Sequence, residues 1–199
     1  MKLAKSIGRL GTETAFEVLA KAKKLEAQGK EIIHLEIGEP DFETPDHIKE
    51  AAKKALDDNY THYVPSPGLM EVREVIAEHQ SKVHNKNISP ENVVFTPGAK
   101  PIMFFTIMAL IEPGDEVIYP NPGFPIYESM INYVGGKAVP MELKEEKDFN
   151  ADVDLIEESI TDRTKLIILN SPNNPCGSVM EPSDIKRIAD IAKQKDIVI

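Results

Sequence analysis

The sequence predicts an α/β fold in which helices cover both faces of a mostly parallel sheet, giving three layers. From residue 92 onward, short apolar segments alternate with helical patterns, and this alternation is typical of strand–helix–strand crossovers. The segments 165–170 and 197–199 are continuous apolar runs, as expected of strands that are covered on both faces. We therefore predict an N-terminal helical arm over 1–45, followed by one α/β domain over 46–199.

The individual elements follow from local patterns. The first helix carries a mostly apolar stripe and stops at Gly29, and Pro45 occupies a favoured position at the start of the second. Apolar residues at three- and four-residue spacing predict the remaining helices, and short β-branched runs predict the strands. Helices are predicted at 12–28, from 44 onward, and at 69–83, 98–111, 124–133, 153–160 and 183–195. Strands are predicted at 32–37, 92–96, 116–119, 137–143, 165–170 and 197–199.

The composition disfavours several classes of protein. The 23 basic and 33 acidic residues give a net charge of −10, whereas a nucleic-acid binder would show a basic face. The single cysteine rules out an intrachain disulfide framework and a four-cysteine zinc site, and it fits a cytoplasmic location. The five histidines lack metal-ligand spacing, and no apolar run approaches the roughly 20 residues of a membrane helix. We expect no nucleic-acid, membrane or metal partner.

Ligands of open parallel sheets bind beyond the carboxyl ends of the strands, so the segments that follow strands are the candidate sites. Gly98, in the turn Pro97–Lys100, would let backbone N–H groups point at a ligand, and the following helix N-terminus favours phosphate. Lys100 would add positive charge or simply face solvent, and a purely steric role for the glycine is the alternative. The three-glycine dinucleotide fingerprint and the P-loop pattern are absent, which argues against NAD and ATP.

Two further loops follow predicted strands. Phe124 would either anchor its helix in the core or present an aromatic face to a planar ligand. The loop Asn170–Gly177 holds two prolines and three asparagines, so it would hold a carboxamide rigidly or form a proline-stiffened turn with Asx hydrogen bonds. Its position at a strand end favours the functional interpretation. Cys176 lacks a histidine base in the second half of the chain, so we interpret it as a space-filling residue.

Together these segments resemble the class I/II aminotransferases, which use pyridoxal phosphate. Asn170–Gly177 (NSPNNPCG) resembles the family signature N-x-P-x-N-P-x-G. Ile37–Pro45 (IGEPDFETP) resembles its entry motif, and Thr61–Arg73 (THYVPSPGLMEVR) its tyrosine loop and following helix. TPGAK and NPGFPIY occur in the family's order, so the resemblance covers essentially the whole chain. It implies an incomplete large domain of a fold type I, aspartate aminotransferase-like enzyme, preceded by an arm and small-domain segment.

The resemblance assigns roles to individual residues. Gly98, Ala99 and Lys100 would bind the cofactor phosphate. Phe124 would stack on the pyridine ring and Asn174 would bind its phenolic oxygen, and both would also contact substrate.

Two residues before these loops also receive roles by resemblance. Gly38 would lie beside the substrate, and Tyr63 would reach the cofactor phosphate of a partner subunit, which implies a homodimer with shared active sites. Two positions depart from the family, because Phe124 replaces a frequent tryptophan or tyrosine and Cys176 a common threonine.

The implied reaction moves an amino group between an amino acid, with aspartate as the default, and a 2-oxo acid. In relatives the Schiff-base lysine follows the strand that begins at 197, so we expect it beyond residue 199 and expect the 199-residue chain alone to be inactive. Two alternatives stay open. One is a non-catalytic fragment that retains a phosphate-binding or dimerisation surface, and the other is a pyridoxal phosphate-dependent lyase of the same fold.

Overall fold

The computed structural model describes residues 2–11 and 14–199, and this part of the chain forms seven α-helices and three strands. The helices are α1 (Thr14–Glu26), α2 (Asp46–Asp57), α3 (Met70–His84), α4 (Ala99–Leu110), α5 (Ile126–Val134), α6 (Val153–Ser159) and α7 (Pro182–Lys195). The strands are β1 (Glu116–Asn121), β2 (Lys137–Glu142) and β3 (Thr164–Ile167). The predicted helices therefore exist, with ends that differ by a few residues. Residues 12 and 13, where the first helix was predicted to begin, lie outside the described residues.

The chain forms two compact units. The first comprises Met1–Thr14 and Lys100–Ile199, and the second comprises Ala15–Ala99. The predicted division into an arm over 1–45 and an α/β domain over 46–199 stays a prediction.

The sheet of the first unit is fully parallel, with the strand order β2-β1-β3. The central strand β1 pairs on both sides, so that Val117 lies opposite Ala138 of β2 and Leu166 of β3. Its residues are buried from Glu116 to Pro120, as expected of a strand covered on both faces.

Apolar side chains of β1 alternate between two cores, one on each face of the sheet. Val117 and Tyr119 belong to a cluster that α4 and α5 complete through residues such as Ile107 and Ile131. Ile118 belongs to the opposite cluster, which α6 and α7 complete. The predicted three-layer α/β arrangement is therefore confirmed in this unit.

The predicted strand at 32–37 is wrong. The chain is irregular there, and Ile33 is 85% exposed. The His34 ring instead bonds two carboxylates, with Nε2 2.8 Å from Glu26 Oε1 and Nδ1 2.6 Å from Glu36 Oε1. Among the described residues, the second unit contains no neighbouring strand with which residues 32–37 could pair, so this segment does not form a strand.

The predicted strand at 92–96 is also wrong. Its backbone groups bond to other partners, since Phe95 N donates to Pro67 O at 2.8 Å and Arg73 Nε donates to Val93 O at 2.9 Å. The side chain of Arg73 is buried in this unit, which fixes the segment as an extended loop.

The predicted strand at 197–199 contributes a single parallel bridge, between Val198 and Leu166 of β3. Ile167 N donates to Val198 O at 2.9 Å, which places this segment beside β3. None of the helices formed by residues 2–11 and 14–199 is both long and apolar enough to cross a membrane.

Candidate cofactor site

The loops after β1 and β3 lie at the same edge of the sheet. The two strands are parallel neighbours, and Ile168 N donates to Ile118 O at 2.8 Å, which extends their pairing toward the carboxyl ends. Phe124 follows β1, and Asn174 follows β3. Parallel pairing therefore places both residues at the edge where ligands of such sheets bind.

The turn between β1 and α5 is unusually tight. A Cβ atom on Gly123 would lie 2.1 Å from Pro120 O, so no larger residue fits without a backbone shift. Tyr127 N donates to Phe124 O at 3.0 Å, which closes the turn at the start of α5. The close approach of the backbone at Gly123 therefore determines the position of Phe124 relative to the end of β1.

Phe124 is half-buried and has neighbours of two kinds. Its ring packs edge-on against Tyr127, with centroids 6.0 Å apart and an angle of 87° between the planes. Lys100 Nζ lies over the ring, 5.6 Å from its centroid, at the distance of a cation–π contact. The ring therefore packs against the core cluster, as one of the two interpretations expects. Its stacking on a planar ligand stays a prediction.

The loop after β3 contains a buried and an exposed asparagine side by side. Asn173 is buried and Asn174 is exposed. The amide of Asn170 is oriented so that its oxygen accepts from Asn174 N at 3.0 Å and its nitrogen donates to Pro172 O at 3.1 Å. Asn174 therefore presents its side chain at the surface while its backbone is held by a neighbouring amide.

Cys176 is half-buried in the same loop and carries a free thiol. Its backbone N–H donates to Asn173 Oδ1 at 3.2 Å. The interpretation of Cys176 as a space-filling residue stays a prediction.

The turn before α4 is built around a glycine with positive φ. Gly98 has φ +93°, and the space where its Cβ would point is open to 4 Å. Thr96 Oγ1 donates to Gly98 O at 2.8 Å, which fixes the peptide that precedes Ala99. Because α4 begins at Ala99, the backbone N–H groups of its first turn point toward the helix N-terminus, where anions bind favourably.

The candidate residues are divided between the two units. Lys100, Phe124 and Asn174 belong to the first unit, where Lys100 and Phe124 are in contact and Asn174 lies at the same sheet edge. The second unit carries the other candidates, namely Gly38, Tyr63, Gly98 and Ala99. The Tyr63 side chain is fully exposed. Among the described residues other than its two chain neighbours, none has an atom within 4 Å of the Cβ position of Gly38.

Tyr119 lies on β1 close to this edge and is buried. Burial raises its pKa to about 12, and the nearby Glu128 carboxylate adds to the shift. The phenol is therefore neutral at physiological pH and acts as part of the packing around α5.

The sequence-based prediction missed that the Asn170 amide bonds to Asn174 N and that Asn173 is buried. Asn170, Asn173 and Asn174 belong to the same loop, so the composition indicated the loop but not the role of each asparagine. The alternation of buried and exposed side chains within it depends on the packing of the loop against the residues around 149–151.

Comparison with known proteins places these features in a family. A family model described as "Aminotransferase class I and II" matches residues 30–199. A probable aspartate/prephenate aminotransferase of Aquifex aeolicus is 41% identical over 197 residues, covering 99% of this chain and 50% of the relative.

Solved structures give the same picture. Thermus thermophilus aspartate aminotransferase with maleate superimposes with a TM-score of 0.94 at 36% identity, covering 100% of this chain and 52% of that one. Alanine aminotransferase from Pyrococcus furiosus gives a TM-score of 0.93 at 34% identity, with 99% and 51% covered. The chain thus spans about half the length of the relatives it matches.

The fold is that of a fold type I transferase. The chain belongs to the class I and II aminotransferase family. Proteins of this family depend on pyridoxal phosphate.

The residues present fit that cofactor. The open space at Gly98 and the N-terminus of α4 suit a phosphate group, and the Phe124 ring suits a planar pyridine. The exposed carboxamide of Asn174 offers a hydrogen-bond donor for a phenolic oxygen.

Proposed function

We propose that the whole protein is an aminotransferase that moves an amino group between an amino acid and a 2-oxo acid, with aspartate as the leading donor. The observation that carries this proposal is that Phe124 and Asn174 follow adjacent parallel strands in a chain of this family. The names of the relatives favour aspartate, while alanine and prephenate among them show that the family's substrates vary.

We propose that this chain's residues hold the cofactor in three ways. The backbone at Gly98 and Ala99, together with the Lys100 ammonium, neutralises the phosphate. Phe124 covers one face of the ring, and Asn174 donates to its phenolic oxygen. When bound, pyridoxal phosphate supplies an electron sink that stabilises negative charge at the substrate α-carbon.

The remaining roles concern substrate and partner. Gly38 would allow the backbone to approach the substrate, since open space surrounds its Cβ position. Tyr63 would extend into the site of a second subunit, and its full exposure in this chain favours such a contact. We propose a homodimer on this basis, and a cytoplasmic location on the presence of a single cysteine.

The lysine that bonds covalently to the cofactor would lie outside residues 1–199, so the 199-residue chain alone would be inactive. This part of the proposal is supported by the length of the relatives, of which the chain spans about half. Lys100 would act on the phosphate and ring and would not be that lysine.

The test is an assay of the whole protein with aspartate, with and without a 2-oxo acid acceptor. The proposal predicts one new amino acid formed for each 2-oxo acid released, and no turnover without the acceptor. Turnover that needs no acceptor would instead identify a lyase. The 199-residue chain, assayed in parallel, should bind no substrate productively; activity in it would refute the placement of the covalent lysine.

A further inference from the structure

Asn173 and Asn174 are adjacent, yet they differ sharply in exposure. Only 6% of Asn173 is accessible, whereas Asn174 is exposed. The inward residue borders a cavity of about 10 Å³, whose walls include Pro120, Asn170 and Ser178. The buried amide of Asn173 is therefore placed to anchor the loop, while the exposed amide of Asn174 is placed to contact a ligand.

Asn173 closes the turn that follows Asn174 with three hydrogen bonds. Its backbone N donates to Ser178 O at 2.8 Å, and its backbone O accepts from Gly177 N at 2.7 Å. Its side-chain Oδ1 accepts from Cys176 N at 3.2 Å. Only the third of these bonds depends on the side chain, so a substitution can remove it alone.

A hydrogen bond holds this closed turn against another segment of the first unit. Ser178 Oγ donates to Phe149 O at 2.8 Å, and Ser178 is half-buried. The turn therefore has a fixed base, and the side-chain bond from Asn173 holds Cys176, two residues after Asn174, within that turn.

Asn173 Nδ2 is buried and has no hydrogen-bond partner among the described residues. A buried donor without a partner disfavours a polar residue at this position. An apolar residue would avoid that cost, so the contribution that favours asparagine is its acceptor, Oδ1. Serine also offers a neutral acceptor for a backbone N–H a few residues later, which makes it a matched replacement.

We propose that Asn173 is a positioning residue that fixes the direction of the Asn174 carboxamide toward the cofactor. It acts through Asn174 and touches neither substrate nor cofactor. The inference rests on the proposed function, because that function assigns Asn174 its ligand.

The test is a double-mutant cycle in the whole protein, with pyridoxal phosphate as the probe and affinity and cofactor absorbance against pH as readouts. Asn173→Ala should weaken affinity by about 3- to 10-fold, the equivalent of one neutral hydrogen bond. Asn173→Ser should recover most of the loss. In an Asn174→Ala background, Asn173→Ala should have no further effect on either readout. An equal loss in both backgrounds, or no recovery with serine, would overturn the proposal.

Amide hydrogen exchange at Cys176 separates this inference from the proposed function. Without cofactor, Asn173→Ala should speed exchange of the Cys176 N–H and Asn173→Ser should restore its protection. Unchanged exchange overturns the role of Asn173 alone. Normal exchange effects in a protein that binds no pyridoxal phosphate would instead overturn the proposed function, and with it the action on a cofactor.

Discussion

Glu116 offers the most quantitative test of the fold, because its carboxylate is buried at the start of the central strand. It is 1% exposed, and its oxygens accept from Thr161 Oγ1 at 2.6 Å and Lys137 Nζ at 2.9 Å, with Arg163 Nη2 at 3.4 Å. These partners belong to β2 and to the turn that leads into β3. The carboxylate therefore connects the beginnings of all three strands.

Glu116→Gln keeps the size of the side chain but removes its charge and turns one acceptor into a donor. Hydrogen bonds to a charged group contribute about 1.5–3 kcal/mol, so we expect a loss of about 3 kcal/mol in the free energy of unfolding. The Lys137 and Arg163 side chains are 62% and 66% exposed. Their replacement by alanine should each cost less than about 1 kcal/mol, because solvent already screens them.

The loss should also depend on pH. The Thr161 hydroxyl, followed by the Lys137 hydrogen bond, holds the pKa of Glu116 below its ordinary value of 4.5. A lowered pKa in the folded state means that the carboxylate contributes stability above its unfolded pKa and loses it as pH falls through the folded pKa. The difference between wild type and Glu116→Gln should therefore be full at neutral pH and shrink under acid conditions.

Urea unfolding followed by circular dichroism measures these differences. A Glu116→Gln variant as stable as wild type at neutral pH would show that the buried carboxylate does not stabilise the fold. A Lys137→Ala variant that costs as much as Glu116→Gln would show instead that the stabilisation comes from the exposed ion pair.

Three further predictions concern single groups. Gly123→Ala should destabilise the chain by roughly 2 kcal/mol or more, because its Cβ would lie 2.1 Å from Pro120 O, while Gly38→Ala should stay within about 0.5 kcal/mol; equal thermal melts would contradict this. His34 should titrate above its ordinary pKa of 6.5 by NMR, since Glu26 and then Glu36 accept from its ring, and its stabilising effect should be lost as pH rises through the raised pKa; Glu26→Gln should lower that pKa. Ultraviolet absorbance should show Tyr119 ionising only near pH 12, and Tyr119→Phe should remove that signal. The packing of Tyr119 should be lost as pH rises through that value. Ionisation at an ordinary tyrosine pH would contradict its burial.

Much of the α/β unit could be predicted from the sequence, because the physical signal is local. The apolar residues of β1 must be covered on both faces, and the helical spacing of α5 and α7 supplies the cover. Gly135, with φ +90°, ends α5 where the pattern ends.

The errors arose where structure depends on partners distant in sequence. Residues 92–96 have the composition of a strand, but their backbone bonds to Pro67 and Arg73. Strand propensity reports suitability for a sheet and not the presence of a neighbour strand. Local pattern therefore predicted a strand that the second unit does not form.

The candidate site was predicted at the level of loops and only partly at the level of residues. The signature loop indicated Asn174, but nothing in NSPNNPCG shows that Asn173 turns inward or that Asn170 binds Asn174 N. The burial of Glu116 was also not predictable, because an acidic residue at the start of a strand is expected to be exposed. Its three partners come from segments distant in sequence.

The strand-end loops of this chain are proposed to bind pyridoxal phosphate, and equilibrium binding of that cofactor provides the decisive measurement. The measurement compares the whole protein with its Asn174→Ala and Phe124→Leu variants, and with Asn87→Ala as an exposed asparagine control. We predict that Asn174→Ala weakens binding by about 10- to 100-fold, as expected for a hydrogen bond to a charged acceptor, that Phe124→Leu also weakens it, and that Asn87→Ala leaves it unchanged. Binding of equal strength in wild type, Asn174→Ala and Phe124→Leu would show that these loops do not hold the cofactor.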